Sequence, residues 1–280
     1  MKNDKEKSKK PKAKLTFGLN VIYEKSFKEA IDFAVKDGFG AIEVWASAPQ
    51  FNWQKYASHE RKAIASYASQ NKIDLQLHGP EELSLFNFFP VLQLATLKCY
   101  RELIDFAKEI GAQTLTIHHG ETTVITFQGG RKIPLFSQYP QILDSFKKNL
   151  TAVARYASGK VKLCLENANH FNDPLIKKIA AGLLKKKLLF LTWDIGKSYN
   201  KDGSVKEDEV NFFVDHLSSV KNVYWHDMTA LGGHEVVGKG FVDFRRFFDI
   251  VKDLEVNHII ELRPRENVLD ARVKFQELWR

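Results

Sequence analysis

Eight short apolar runs recur along this 280-residue chain, each followed by a stretch of helical character. Six of the runs stop at histidine or acidic residues: Ile73–His78, Thr114–His118, Val161–Glu166, Leu188–Asp194, Asn222–Asp227 and His258–Glu261. One polar residue at a strand end is ordinary. Metal-ligating residue types at the same end of strand after strand predict an architecture in which those ends converge on one site. The runs are almost wholly apolar, as parallel strands covered on both faces are.

The alternation can be followed from Leu15. Leu15–Val21 is the first strand, and Ser26 caps a helix that runs to Lys36 before Asp37-Gly38 ends it. Ala41–Trp45 is the second strand, and helical sequence at Glu60–Gln70 leads to the third, ending at His78. Helix Val91–Ile110, closed by Gly111, precedes the strand ending at His118. Glu121–Tyr139 reads as a polar, glycine-containing insertion, and helix Gln141–Ala157 precedes the strand ending at Glu166. Asp173-Pro174 opens a helix to Lys186, followed by strand Leu188–Asp194, helix Glu207–Ser219 and strand Asn222–Asp227. A loop with Gly232, Gly233, Gly238 and Gly240, helix Phe244–Leu254, strand His258–Glu261 and a last helix to Arg280 complete the chain. Eight strands and eight helices in strict alternation predict a single α/β domain, a (β/α)8 TIM barrel over residues 15–280. A doubly wound open sheet is the runner-up. In a barrel the site lies at the C-terminal ends of the strands.

Composition bears on partners. The net charge is +8, but residues 1–14 hold seven lysines against Asp4 and Glu6, which leaves only +3 for the rest. That segment has no apolar period and reads as a disordered basic tail. A nearly balanced barrel argues against nucleic acid as a partner, since a DNA-docking face must neutralise phosphates. The two cysteines, Cys99 and Cys164, read as buried thiols of a reducing compartment. No run approaches the roughly 20 apolar residues of a membrane span, and no apolar stretch follows the first lysines before Leu15. The expectation is a soluble, cytoplasmic protein that acts on a small molecule.

Several segments resemble the xylose-isomerase-like TIM barrels, a superfamily of sugar isomerases and epimerases together with the family 2 apurinic endonucleases. Gly38-Phe39-Gly40-Ala41-Ile42-Glu43 is similar to that superfamily's second-strand pattern, and Leu77-His78-Gly79-Pro80 to its third. Ile110-Gly111-Ala112 with Ile117-His118-His119-Gly120 resembles the fourth, and Leu165-Glu166-Asn167 the fifth-strand Glu-Asn, the most specific of these matches. Trp193-Asp194 is followed by Lys197 where the superfamily often has Asp-x-x-His. His226-Asp227, then His234 through Gly238 and Gly240 to Asp243-Phe244, resembles the seventh-strand run, and Ile260-Glu261 the eighth. The departures are Lys197 for a histidine and Gly232 where an aspartate would pair with His234. On the seventh strand, Tyr224 falls in the usual histidine register and His226 lies two residues later on the same face.

By that resemblance a trinuclear zinc cluster lacks its ligands. A one-metal set remains: Glu166, Asp194, His226 and Glu261 around one divalent ion, Mn²⁺, Mg²⁺, Co²⁺ or Zn²⁺. Glu166 and Glu261 would also be the acid and base of an isomerase or epimerase. His78, His118, Lys197, His234, Arg263 and Trp45 would bind substrate, with Trp193 and Trp225 adding to an apolar wall for a sugar ring. His59, His119, His170, His216 and His258 read as surface or packing residues. Gly238-Lys239-Gly240 reads as a tight turn rather than a phosphate loop. Two other functions stand beside the isomerase: a metal-dependent phosphodiesterase like the apurinic endonucleases, and a non-catalytic ligand-binding barrel with a degenerate metal site.

Overall fold

The computed structural model describes residues 17–279. The expected tail lies outside these residues. Eight parallel strands close into a barrel: β1 (Phe17–Val21), β2 (Ala41–Trp45), β3 (Asp74–His78), β4 (Thr114–Ile117), β5 (Lys162–Glu166), β6 (Phe190–Asp194), β7 (Val220–Trp225) and β8 (Asn257–Ile260). β8 returns to β1, pairing Ile259 with Gly18, so the sheet has no open edge and the doubly wound alternative falls. The helices between and after the strands are α1 (Phe27–Lys36), α2 (Ser58–Gln70), α3 (Pro90–Ile110), α4 (Pro140–Ala157), α5 (Pro174–Leu184), α6 (Glu207–Asp215), α7 (Phe244–Val251) and α8 (Arg265–Leu278).

Local chemistry sets the boundaries. The Ser26 hydroxyl accepts from the Glu29 N–H at 3.2 Å, and the Asp173 carboxylate accepts from the Leu175 N–H at 2.8 Å. Pro90, Pro140 and Pro174 each occupy a first helical position, where no N–H is required. α6 and α7 stop short of the expected Ser219 and Leu254. After α6 the chain tightens into a 3-10 turn at Leu217–Ser219. The insertion after β4 is not wholly irregular: Val124–Thr126 pairs antiparallel with Lys132–Pro134.

The main apolar core lies between the barrel and its helices. Trp193 stacks 4.9 Å from Phe213, and Trp225 sits 4.3 Å from Phe248. Side chains of this size, fully buried, contribute about 1.5–3 kcal/mol each. Inside the barrel a small apolar cluster of Ala41, Tyr224 and Ile259 is followed by a polar layer. There Thr116 and Thr192 share a hydrogen bond of 2.7 Å. Glu43 Oε1 accepts from the Tyr224 hydroxyl at 2.7 Å and from Asn222 Nδ2 at 2.9 Å. Among the described residues no helix is long and apolar enough to cross a membrane.

Candidate functional site

The strand ends of β3 to β8 assemble a charged mouth above that polar floor. Glu166 closes β5 and is fully buried. Its Oε2 meets His118 Nε2 at 2.9 Å and His78 Nε2 at 3.3 Å, while Oε1 accepts from the Lys197 ammonium. Asp194 closes β6 and is also fully buried. Its Oδ1 accepts from the Lys197 backbone N–H at 3.0 Å, and its Oδ2 lies 3.2 Å from the Lys197 ammonium. One lysine therefore bridges two buried carboxylates from adjacent strands.

His226 follows β7 and fills the space beside Asp194, its Nε2 2.9 Å from Oδ1. Two glycines make room for the ring: a Cβ on Gly196 would stand 2.0 Å from His226 Cε1, and one on Gly233 2.8 Å. The Tyr224 and His226 side chains both face inward, one step of the strand apart. Tyr224 reaches down to Glu43, and His226 stays at the mouth with Asp194. Ligand-type atoms of His226, His234 and Glu261 lie within 4.8 Å of one another, as do those of His78, Glu81 and His118. Arg263 donates to Asn20 Oδ1 at 3.2 Å and lies 3.8 Å from Glu261 Oε1. Trp45 is half-buried at the end of β2, paired across the ladder with His78.

The charges hold one another. Burial alone would push the Glu166 and Asp194 carboxyls up. Lys197 and His118 overcome it at Glu166, and His226 and Lys197 at Asp194, so both stay well below the usual carboxylate range. Burial works against protonated His78 and His226, yet Glu166 holds His78 up at about 9 and Asp194 does the same for His226. The Lys197 ammonium, opposed by burial, is held well above its ordinary value by Glu166 and Asp194. His78 Nδ1 donates to the Gly79 carbonyl at 2.9 Å, and His226 Nδ1 faces the Asp227 carbonyl at 3.0 Å. At His78 a proton on Nδ1 makes Nε2 the nitrogen that can accept a cation once its own proton leaves, whereas His226 Nδ1 accepts the His234 N–H at 2.9 Å.

The donor set fits a divalent cation. Asp194 Oδ2, His226 Nε2 and Glu261 Oε2 are buried without a hydrogen-bond partner, the neighbours of the first two being close but poorly aligned. His226, His234 and Glu261 bring imidazole and carboxylate atoms within 4.8 Å of one another, with Asp194 Oδ1 2.9 Å from His226, a set that an oxygen- and nitrogen-ligated ion would satisfy.

Some expectations need correction. Trp193 and Trp225 form no wall to the site. Each neighbours an inward-facing residue on its strand and so points out to the helices, bonding Ser198 Oγ and His258 Nδ1, both at 3.0 Å. Glu43, the acidic residue of the second-strand pattern, lies not at the mouth but in the polar layer below it. His119 is fully buried under the insertion beside Phe86 and His170, and burial lowers its pKa to about 4. Glu81 was not anticipated: it is a loop residue with no periodic signal. The glycine loop is a turn, as its composition suggested, and its organiser is Asp227. That carboxylate accepts the N–H groups of Met228, Gly238, Gly240 and Val242 at 2.8–3.1 Å.

The family model described as "Xylose isomerase-like TIM barrel" matches residues 31–277. The chain belongs to this family. A probable endonuclease 4 from Aquifex aeolicus is 24% identical over 260 residues, covering 88% of this chain and 89% of that protein. Among solved structures, a D-tagatose 3-epimerase-like protein superposes with a TM-score of 0.74 at 19% identity, covering 94% of this chain and 97% of its own. A 3-keto-D-glucoside 4-epimerase from E. coli superposes with a TM-score of 0.70 at 12% identity, covering 95% and 99%. At such identities the likeness to the solved structures is one of fold.

Proposed function

We propose that this barrel is a metal-dependent isomerase or epimerase of a small sugar or related hydroxy-carbonyl compound. One observation carries the reading. Glu166, Asp194, His226 and Glu261, from four successive strand ends, share one mouth, and three of them present buried donor atoms with no hydrogen-bond partner. The epimerases among the structural neighbours support it. These four residues would hold a single divalent ion, which when bound polarises the carbonyl and hydroxyl oxygens of a substrate.

The remaining chemistry belongs to the side chains. Glu166 is held as a carboxylate and is the group to take a proton from a carbon next to a carbonyl. Its Oε2 is kept in place by His78 and His118. Glu261, on β8's side of the mouth, is the partner that returns a proton. Arg263 and Lys197 offer cations for an anionic or hydroxyl group, and Trp45 offers a half-buried apolar face. His234 closes the β7–β8 side, its backbone N–H 2.9 Å from His226 Nδ1.

The test is solvent-deuterium exchange into a panel of ketoses and keto acids with each of the four metals, on protein whose metal content has been measured. Exchange that needs about one equivalent of metal and is lost in Glu261→Gln supports the proposal. Metal-dependent cleavage of abasic-site DNA, abolished by the same substitution, would replace it with the phosphodiesterase reading. Protein that takes up no metal would turn it toward a ligand-binding barrel.

A further inference from the structure

The geometry points to Lys197 as a built-in cation that occupies the Glu166–Asp194 pair in the ion-free protein, competes with a divalent ion for it, and is released toward the mouth when the ion binds. This inference rests on the proposed metal site. It concerns what stands in that site beforehand, for which the ligand set alone makes no provision.

Three observations support it. First, the ammonium contacts one oxygen of each of two carboxylates that are themselves 0% exposed, and these are two of the four residues proposed to hold the ion. Two buried carboxylates without a cation would be costly, so something positive must sit between them. Second, the lysine backbone is pinned while its side chain retains a way out. Its N–H donates to Asp194 Oδ1 at 3.0 Å and its carbonyl accepts from Lys206 Nζ at 2.7 Å. The next residue, Ser198, lies between Trp193 Nε1 at 3.0 Å and Glu209 Oε1 at 3.2 Å. The Lys197 side chain is 27% exposed, unlike either carboxylate, so a rotation of the four-carbon stem carries the charge toward solvent without unfolding the turn. Third, the β7–β8 side is held less closely: His226 Nε2 turns to Asp194 Oδ1 at 2.9 Å, while Glu261 has His234 and Arg263 no nearer than 3.8 Å. The Glu166–Asp194 pair is thus occupied by an internal cation in direct contact, and Glu261 is not.

An ammonium and a divalent ion cannot occupy the same pair of oxygens. Ion binding must therefore displace Lys197, and the apparent affinity of the wild-type protein is lowered by the population of the plugged state. Displacement would place the ammonium at the mouth, where an anionic or hydroxyl group of a substrate arrives. Metal loading and creation of the cationic subsite would then be one event.

The experiment is calorimetric titration of Mn²⁺ into chelator-treated wild type, Lys197→Met and Lys197→Gln. Both variants are expected to bind at least tenfold more tightly than wild type. Without ion they should melt at a lower temperature than wild type, because the carboxylates have lost their cation, and Mn²⁺ should raise their melting temperature more than it raises that of wild type. Equal or weaker binding by the variants overturns the inference. If neither variant folds, the wild type still decides: Lys197 acetylation, quantified by peptide mass spectrometry, should accelerate when Mn²⁺ is added, and an unchanged rate overturns the inference. Failure of deuterium exchange with every sugar would count against the proposed reaction and leave the affinity difference standing, so the two are separable.

Discussion

The mouth and the floor of this barrel are built from the same strands and are equally dry, yet they treat a carboxylate in opposite ways. In the floor, Glu43 is met by a tyrosine hydroxyl and an asparagine amide, and burial pushes its carboxyl up to about 7. At the mouth, Glu166 is met by Lys197, His118 and His78 and stays well below the ordinary range despite equal burial. Neutral donors, with only the charge of His78 acting from outside hydrogen-bond reach, do not offset the cost of burying Glu43, whereas cations in direct contact do so at Glu166. A proton suffices for the floor carboxyl. The mouth is built for positive charge, in the form of protons, an ammonium or an ion.

If that contrast is right, the largest effect comes from neutralising a mouth carboxylate. Glu166→Gln and Glu261→Gln should each lower turnover by roughly 10²–10⁴-fold, with metal uptake falling in parallel, because ligand charge and basicity disappear together. Steady-state kinetics with metal analysis checks this, and a variant retaining most of its turnover would dissolve the distinction between the layers.

Next in size is Gly196→Ala. Its Cβ would stand 2.0 Å from His226 Cε1, so the ring must move. We expect a stability loss of about 1–3 kcal/mol and a metal affinity roughly 10–100-fold weaker. Gly182→Ala is the control: nothing lies within 4 Å of the added carbon, and a helix interior favours alanine, so that variant should be unaffected or slightly more stable.

Lys197→Ala tests the cation rather than its partners. The KM for an anionic or hydroxyl-rich substrate should rise about tenfold, with a smaller fall in kcat, as expected when a charge-assisted contact of about 1.5–3 kcal/mol is lost in part. An unchanged KM would mean that the lysine only neutralises carboxylates.

The last effect belongs to the floor and shows only as a pH dependence of stability, not in turnover. Glu43 titrates near 4.5 in the unfolded chain and at about 7 when folded. Between these values the folded state keeps a proton that the unfolded state has released. Its contribution is therefore fully present below pH 4.5, falls as pH rises toward 7 and is level above. Glu43→Gln, which cannot ionise, should gain on wild type across that window by up to about 1.4 kcal/mol per pH unit. Denaturant titrations at several pH values measure the difference, and a constant offset would show that Glu43 is charged in the fold.

Much of this was legible in the chain. Apolar runs ending in His or acidic residues identified β3 to β8, because a strand buried on both faces is largely apolar and its charged residues gather where it emerges. Asp227 shows where such reading stops. It ends the same kind of run as Asp194, but its oxygens are occupied by four backbone N–H groups of the following loop. Nothing in residue type separates a carboxylate that organises a turn from one that faces a cation. The Trp193 and Trp225 error has a similar origin: closeness to a strand end places a residue along the axis, while its parity on the strand decides whether it faces the site or the helices.

The order of strands and helices and the places where they begin and end were largely determined by the sequence itself, through hydrophobic period and local capping. Both act over a few residues and leave a trace in the linear order. Only the tertiary structure decided that Glu43 lies beneath the mouth, that Lys197 stands between Glu166 and Asp194, and that Glu81 joins His78 and His118. Those facts depend on strand register, on side-chain rotation and on distances between residues far apart in the chain, and electrostatic energy depends on distance and burial rather than on sequence separation.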